Sequence, residues 1–245
     1  MFIIIDGIDG SCKSTVLAYW AAHLAEQGKR VFSLKSYWQT NHCHPLPQDL
    51  GDADVVISAE PTTVWAGAAI RQELIRQGTD YTARTIAEAY ALDRMILYKR
   101  LLLPLLAQGK IILQDRSVST SLCYQSVQDN GLPMQEIASL PGNAFALEHA
   151  PQHLVLATIP PQIALSRIGK RDDKQDNAIF ERESFLIAAH NQFLSPAYQR
   201  YFTERGTTIH HLNTNLDRDS MKQESISLLD SILCSSQPPT LSAKA

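Results

Sequence analysis

The 245-residue chain is 44% apolar and 19% charged, which supplies one substantial core and excludes a disordered, fibrous or repetitive protein. Its 22 basic and 25 acidic residues leave a net charge of −3, so no basic field for nucleic acid exists, and a nucleotide-like ligand would be small and gripped by local Arg and Lys. Asp6 interrupts the N-terminal apolar run and no basic segment precedes it, so neither a signal peptide nor a membrane span is expected and the cytoplasm is the default location. Cys12, Cys43, Cys123 and Cys234 lack CxxC spacing, as reduced thiols do, and His42-Cys43-His44 has no fourth partner at a usual metal-ligand spacing.

Phe2-Ile3-Ile4-Ile5 predicts a first strand, and helical periodicity follows from Thr15 to Leu24. Between them lies GIDGSCKST, residues 7–15, in the strand, loop and helix order that a phosphate-binding P-loop needs. Such a loop points successive backbone N–H groups and a helix N-terminus at one spot, a nest for phosphate oxygens. Lys13 would reach the β- and γ-phosphates and Ser14 a Mg²⁺ ion. Cys12 stands where GxxxxGK[ST] has its second Gly, and a residue with a Cβ held left-handed there would cost about 1–2 kcal/mol.

Further along, apolar runs at 31–34, 54–57, 111–114 and 154–159 read as strands. Helices are predicted at 66–77, 82–107, 117–129, 134–149, 161–168, 178–204 and 217–233, besides the first at 14–27. Residues 36–53, with Pro45, Pro47 and Gly51, read as a long loop or insertion after the second strand, and residues 235–245 as a disordered polar tail. The alternation predicts an α/β fold of P-loop NTPase type, a parallel sheet with helices on both faces, as one domain over 1–234 with a small lid at 167–181.

Four segments carry chemistry beyond the loop: Glu60-Pro61-Thr62 with Arg71 after it, Tyr90 with Ala91-Leu92-Asp93-Arg94, Asp115-Arg116 continued as SVSTSLCYQ, and the charged run from Ser166 to Phe185. Arginine grips phosphate bidentately and stays charged, which suits phosphoryl transfer, where catalysis is mostly positioning and electrostatics. Asp115 would close a strand at the carboxyl edge of the sheet and hold Mg²⁺ directly or through water. No basic residue stands among Ile8, Asp9, Gly10 and Ser11, so Arg167, Lys170, Arg171 and Lys174 are the cations expected to close over the ATP phosphates as a lid.

In this order the FIIIDGIDGSCKST start, the EPT turn, the ALDR helix, DRSVSTSLCYQ and the Arg-rich lid with FERESF resemble the thymidylate kinase family of nucleoside monophosphate kinases over residues 1–205. The resemblance implies transfer of the ATP γ-phosphoryl group to dTMP with Mg²⁺, and a homodimer. It implies that Gly7, Ile8, Asp9, Gly10, Ser11, Cys12, Lys13, Ser14, Thr15 and Arg167 bind ATP, with Ser14 and Asp115 on the metal. Lys13, Asp9, Arg116 and Arg171 would be catalytic, Asp9 ordering the acceptor. Arg94 and Arg116 would grip the monophosphate with Arg71 assisting and Glu60 close by, and Tyr90 would stack on thymine. Thr120, Ser121, Tyr124 and Gln125 would face base and sugar, Tyr124 near the 2′ position where it disfavours a ribose. Cys12, Ala59 in place of the Arg that often precedes Glu-Pro, and the 36–53 insertion depart from the family. Two other readings stay open: a deoxynucleoside kinase, echoed by EPTTVW and DRS, and a nucleotide-binding protein weakened in catalysis by Cys12.

Overall fold

The structure, a computed structural model, describes residues 1–170, 180 and 182–235. In chain order its strands are β1 (Phe2–Asp6), β2 (Val31–Ser33), β3 (Val55–Ala59), β4 (Ile111–Asp115), β5 (His153–Thr158) and β6 (Thr208–Asn213). They form one sheet in the order β2-β3-β4-β1-β5-β6, every adjacent pair parallel. Side chains of β1 alternate between faces as strand geometry requires. Phe2 and Ile4 enter one core and Ile3 and Ile5 another, so β1 is buried on both sides and reads as a continuous apolar run.

The helices are α1 (Lys13–Glu26), α2 (Leu34–Asn41), α3 (Trp65–Ala69), α4 (Ala83–Leu97), α5 (Leu103–Ala107), α6 (Val118–Val127), α7 (Met134–Ser139), α8 (Pro141–Glu148), α9 (Pro161–Ile168), α10 (Glu183–Leu194), α11 (Pro196–Thr203) and α12 (Arg218–Ser235). Val16, Trp20 and Leu24 of α1 and Leu229 and Ile232 of α12 cover the Ile3/Ile5 face. Tyr98, Leu101, Leu122, Leu186 and Phe193 pack on the Phe2/Ile4 face. Among the described residues no helix is long and apolar enough to cross a membrane.

Several elements differ from the sequence reading. The strand β6 was not expected: in Thr208–Asn213, only Leu212 is buried, because an edge strand needs apolar residues on little of its length. The expected loop at 36–53 holds most of α2, whose start is capped by the Ser33 hydroxyl accepting from Ser36 N at 3.2 Å, and a 3₁₀ turn at Pro47–Leu50. The helix expected at 178–204 breaks into α10 and α11 at Ser195-Pro196, and the one at 134–149 into α7 and α8 at Leu140-Pro141. In both cases Pro lacks the N–H that would continue the ladder and starts the next helix instead. The helix expected at 66–77 ends as a π-helical turn at Ile70–Leu74, and a similar turn at Tyr98–Leu102 joins α4 to α5. Ser235 closes α12, so the expected tail is ordered at its first residue, and its remainder lies outside the described residues. Of the expected lid, Arg167 and Ile168 end α9 and Lys170 follows, while Arg171 and Lys174 lie outside the described residues.

Candidate active site

The carboxyl ends of β1, β3 and β4 meet the start of α1, so the loop after β1 opens onto the same edge as the turns after β3 and β4. Gly10 has φ 82°, and a Cβ there would stand 2.4 Å from Ala164 O, so only Gly fits against α9. Cys12 takes φ 60° and ψ 20° at the N-cap of α1, the left-handed conformation that Gly adopts without steric cost. Its thiol makes no side-chain cap. Arg167 Nη1 reaches it instead, 3.2 Å from Cys12 Sγ and 3.1 Å from Thr214 O, tying α9 to the loop. Lys13 Nζ lies folded on its own loop, donating to Gly7 O at 2.9 Å and Ile8 O at 2.8 Å. Burial first, then Arg116, lowers its pKa to about 8. Ser14 and Thr15, on the first turn of α1, line a cleft of about 540 Å³ together with Tyr19, Arg218 and Lys222.

Arg116 stands between this loop and a second cluster. It has φ 66°, and a strained backbone in a non-Gly residue is found most often at functional sites. Its Nη2 pairs with Asp9 Oδ1 at 2.5 Å, Nη1 lies 3.7 Å from Asp6 Oδ1, and the guanidinium sits 5.2 Å from the centre of the Tyr124 ring. The Tyr124 hydroxyl accepts from Asp9 N at 3.0 Å and donates to Asp9 Oδ2 at 3.3 Å. Burial opposes the charge on Arg116, but Asp9, followed by Tyr124, Asp6 and Asp115, drives its pKa well above the usual value. Tyr90 belongs to the same cluster: burial pushes its pKa to about 12, and Arg71, Arg116, Asp9 and Arg94 are all near enough to act on its hydroxyl. Arg71 donates through Nε to Pro61 O at 3.0 Å and Thr62 O at 3.1 Å, which seats it on the turn after β3.

Arg94 is placed differently from Arg116. It is 1% exposed, and its Nη2 meets Glu60 Oε2 at 2.7 Å and Ser121 Oγ at 3.1 Å, while Nη1 donates to Asn143 Oδ1. Glu60 also accepts from Gln114 Nε2 at 3.0 Å, and its pKa is pushed up to about 7 by burial against the pull of Arg94. The fork expected to share a phosphate with Arg116 is therefore held by a carboxylate, a hydroxyl and an amide, which leaves Nε and one Nη1 hydrogen unused. Thr120 donates to Asp6 Oδ2 at 2.7 Å, and Gln125 is buried with its Oε1 unpartnered. Asp115 closes β4 with its Oδ1 buried and unpartnered, and its charge reaches both Lys13 and Arg116.

Sequence reasoning missed Asp6, which has no exposed surface and accepts from Gly7 N at 2.8 Å and from the hydroxyls of Ser119 and Thr120, so it joins the loop to the start of α6. Its signal was present, a carboxylate ending an apolar strand directly before the first loop Gly. Asp93 and Thr62 hold the turn after β3: the Thr62 N–H and hydroxyl each donate to the Asp93 carboxylate at 2.7 Å. Asn143 carried no signal at all.

A sequence profile of the family described as Thymidylate kinase matches residues 39–214. Among similar proteins, the probable thymidylate kinase of Thermococcus onnurineus (strain NA1) is 32% identical over 186 residues, covering 72% of this chain and 75% of that protein. The thymidylate kinase of Thermosipho africanus (strain TCF52B) is 27% identical over 210 residues, 84% of this chain and 90% of that protein. The profile match begins after the P-loop, so the loop with its Cys12 is read from its own geometry, and the acceptor-side cluster from Glu60 to Tyr124 falls inside the matched stretch. On this match the chain belongs to the thymidylate kinase family.

Proposed function

We infer that this protein transfers the γ-phosphoryl group of ATP to dTMP, giving dTDP. The observation that carries this reading is the position of Arg116, bonded to Asp9 of the P-loop on one side and stacked on Tyr124 of the acceptor cluster on the other. A donor held at such a junction stabilises charge on the oxygens passing between the two nucleotides, and the acceptor oxygen of a monophosphate is already anionic, so no general base is required. In the proposed assignment Lys13 releases its loop carbonyls to meet the β- and γ-phosphates, with Ser11, Ser14, Thr15 and Arg167 completing the ATP site. Arg116 and Arg71 grip the acceptor phosphate, Asp9 orders it, and Tyr90 stacks on the base. Arg94, neutralised by Glu60, presents its remaining N–H donors to an uncharged part of the acceptor beside Thr120, Ser121 and Gln125. Tyr124 crowds the 2′ position.

The residues present fit a divalent cation, since Asp115 keeps a buried carboxylate oxygen without a hydrogen-bond partner and its charge reaches Lys13. Ser14 and Asp115 would hold Mg²⁺, which supplies charge neutralisation at the phosphates. A homodimer working in the cytoplasm completes the reading.

An ADP-release assay across nucleoside monophosphates and deoxynucleosides tests it. We expect dTMP to be the fastest acceptor. Faster turnover of thymidine would identify a deoxynucleoside kinase, and tight ATP binding with no ADP formed would identify a protein that has lost catalysis.

A further inference from the structure

The guanidinium of Arg94 has five N–H donors in a rigid plane, and where they point depends on what holds that plane. Glu60 and Ser121 take Nη2, and Asn143 Oδ1 takes one hydrogen of Nη1. The second Nη1 hydrogen is left, and Nε is buried without a partner.

Asn143 is itself fixed. It has no exposed surface, its Nδ2 donates to Ile137 O at 2.7 Å, and its backbone N donates to Leu140 O at 2.8 Å. The flipped amide would set Nδ2 against the guanidinium and Oδ1 against a carbonyl, so the partners determine its orientation. The approach of α8 to α4 depends on Gly142, where a Cβ would stand 1.8 Å from Ala91 O, one turn before Arg94. The corner between α7 and α8 thus brings one acceptor atom, from a residue distant in sequence, to one buried guanidinium.

We propose that Asn143 is a positioning residue of the acceptor site, turning the Arg94 fork so that the donors Glu60 and Ser121 leave unused meet an oxygen of the bound nucleotide. This rests on the reading that Arg94 faces the acceptor. Donors aimed this way match a carbonyl and oppose an amino group, so the same residue sharpens the choice of a keto pyrimidine over an aminopyrimidine. Without Asn143 the plane can rotate about its two remaining partners, and each bond to the acceptor forms at worse geometry.

The test measures steady-state kinetics with dTMP, dCMP and ATP on the full chain, together with thermal unfolding. Asn143→Ala removes both side-chain bonds, and Asn143→Asp keeps the acceptor toward Arg94 while losing the donor to Ile137. Asn143→Ala is expected to raise KM for dTMP roughly tenfold or more, with KM for ATP unchanged and a smaller preference for dTMP over dCMP, as expected for a lost bond to a buried charged group. Asn143→Asp should keep KM for dTMP near the parent value even if its unfolding temperature falls. The proposal is overturned if Asn143→Asp raises KM for dTMP as much as Asn143→Ala does, or if Asn143→Ala unfolds more easily with KM and acceptor preference unchanged. A parent protein inactive on dTMP would instead sink the assignment of the reaction itself.

Discussion

The two halves of the site are built on different principles. The donor half is mainly one stretch of chain, residues 7–15, a backbone loop shaped by local φ and ψ that carries Lys13, with Arg167 added from α9. The acceptor half is assembled from side chains on α4, α6, α8 and the turns after β3 and β4, and ion pairs hold it: the buried pair of Arg94 with Glu60, and the half-buried pair of Arg116 with Asp9. A backbone nest tolerates an unusual residue at a cost in strain, which is how Cys12 can occupy a left-handed position. A cluster of buried charges tolerates no missing partner, because each ion depends on another for its solvation. Asp6 and Arg116 are where the two constructions join.

If this contrast holds, the heaviest single loss of stability comes from the acceptor side. Glu60→Ala leaves Arg94 buried without its counter-ion and should cost about 3–5 kcal/mol of folding stability. Denaturant unfolding that shifts by less than 1 kcal/mol would mean the pair is not what holds the cluster. On the donor side Lys13→Ala should lower kcat by about 10²–10³, close to 3–4 kcal/mol of transition-state stabilisation, with little change in unfolding temperature. Activity and melting temperature collapsing together would assign Lys13 a structural role.

The next effect probes the strained backbone. Cys12→Gly should relieve about 1–2 kcal/mol and tighten ATP binding, measured by calorimetry and thermal unfolding. Equal stability and affinity in the two proteins would show that the loop bears no strain at this position. The effect that is most gradual is a pH dependence. The pKa of Glu60 rises from 4.5 unfolded to about 7 folded, so between those values the folded protein keeps a proton that the unfolded chain has released. Stability should therefore fall as pH rises through that window, by at most about 1.4 kcal/mol per pH unit. Glu60→Gln, which cannot ionise, should flatten that slope, and parallel stability curves for parent and variant would show that Glu60 ionises normally.

Much of the donor half could be read without coordinates, since a strand, a Gly-containing loop and a helix start are consecutive in sequence and their chemistry is local. The parallel α/β architecture was legible for the same reason in β1, β3, β4 and β5, where burial leaves nearly continuous apolar runs. Tertiary structure alone decided the rest. It made a strand of Thr208–Asn213, which pairs with β5, and it ended helices at Pro141 and Pro196 that periodicity carried through. It committed Arg94 to Glu60 although both residues sit in motifs that read equally well as phosphate ligands, because an arginine's role depends on what surrounds it. It brought Asn143 to Arg94 across 49 positions of sequence, through a contact that only Gly142 permits. Local backbone preference is written in neighbouring residues, whereas the partner of a buried charge is set by how distant helices pack.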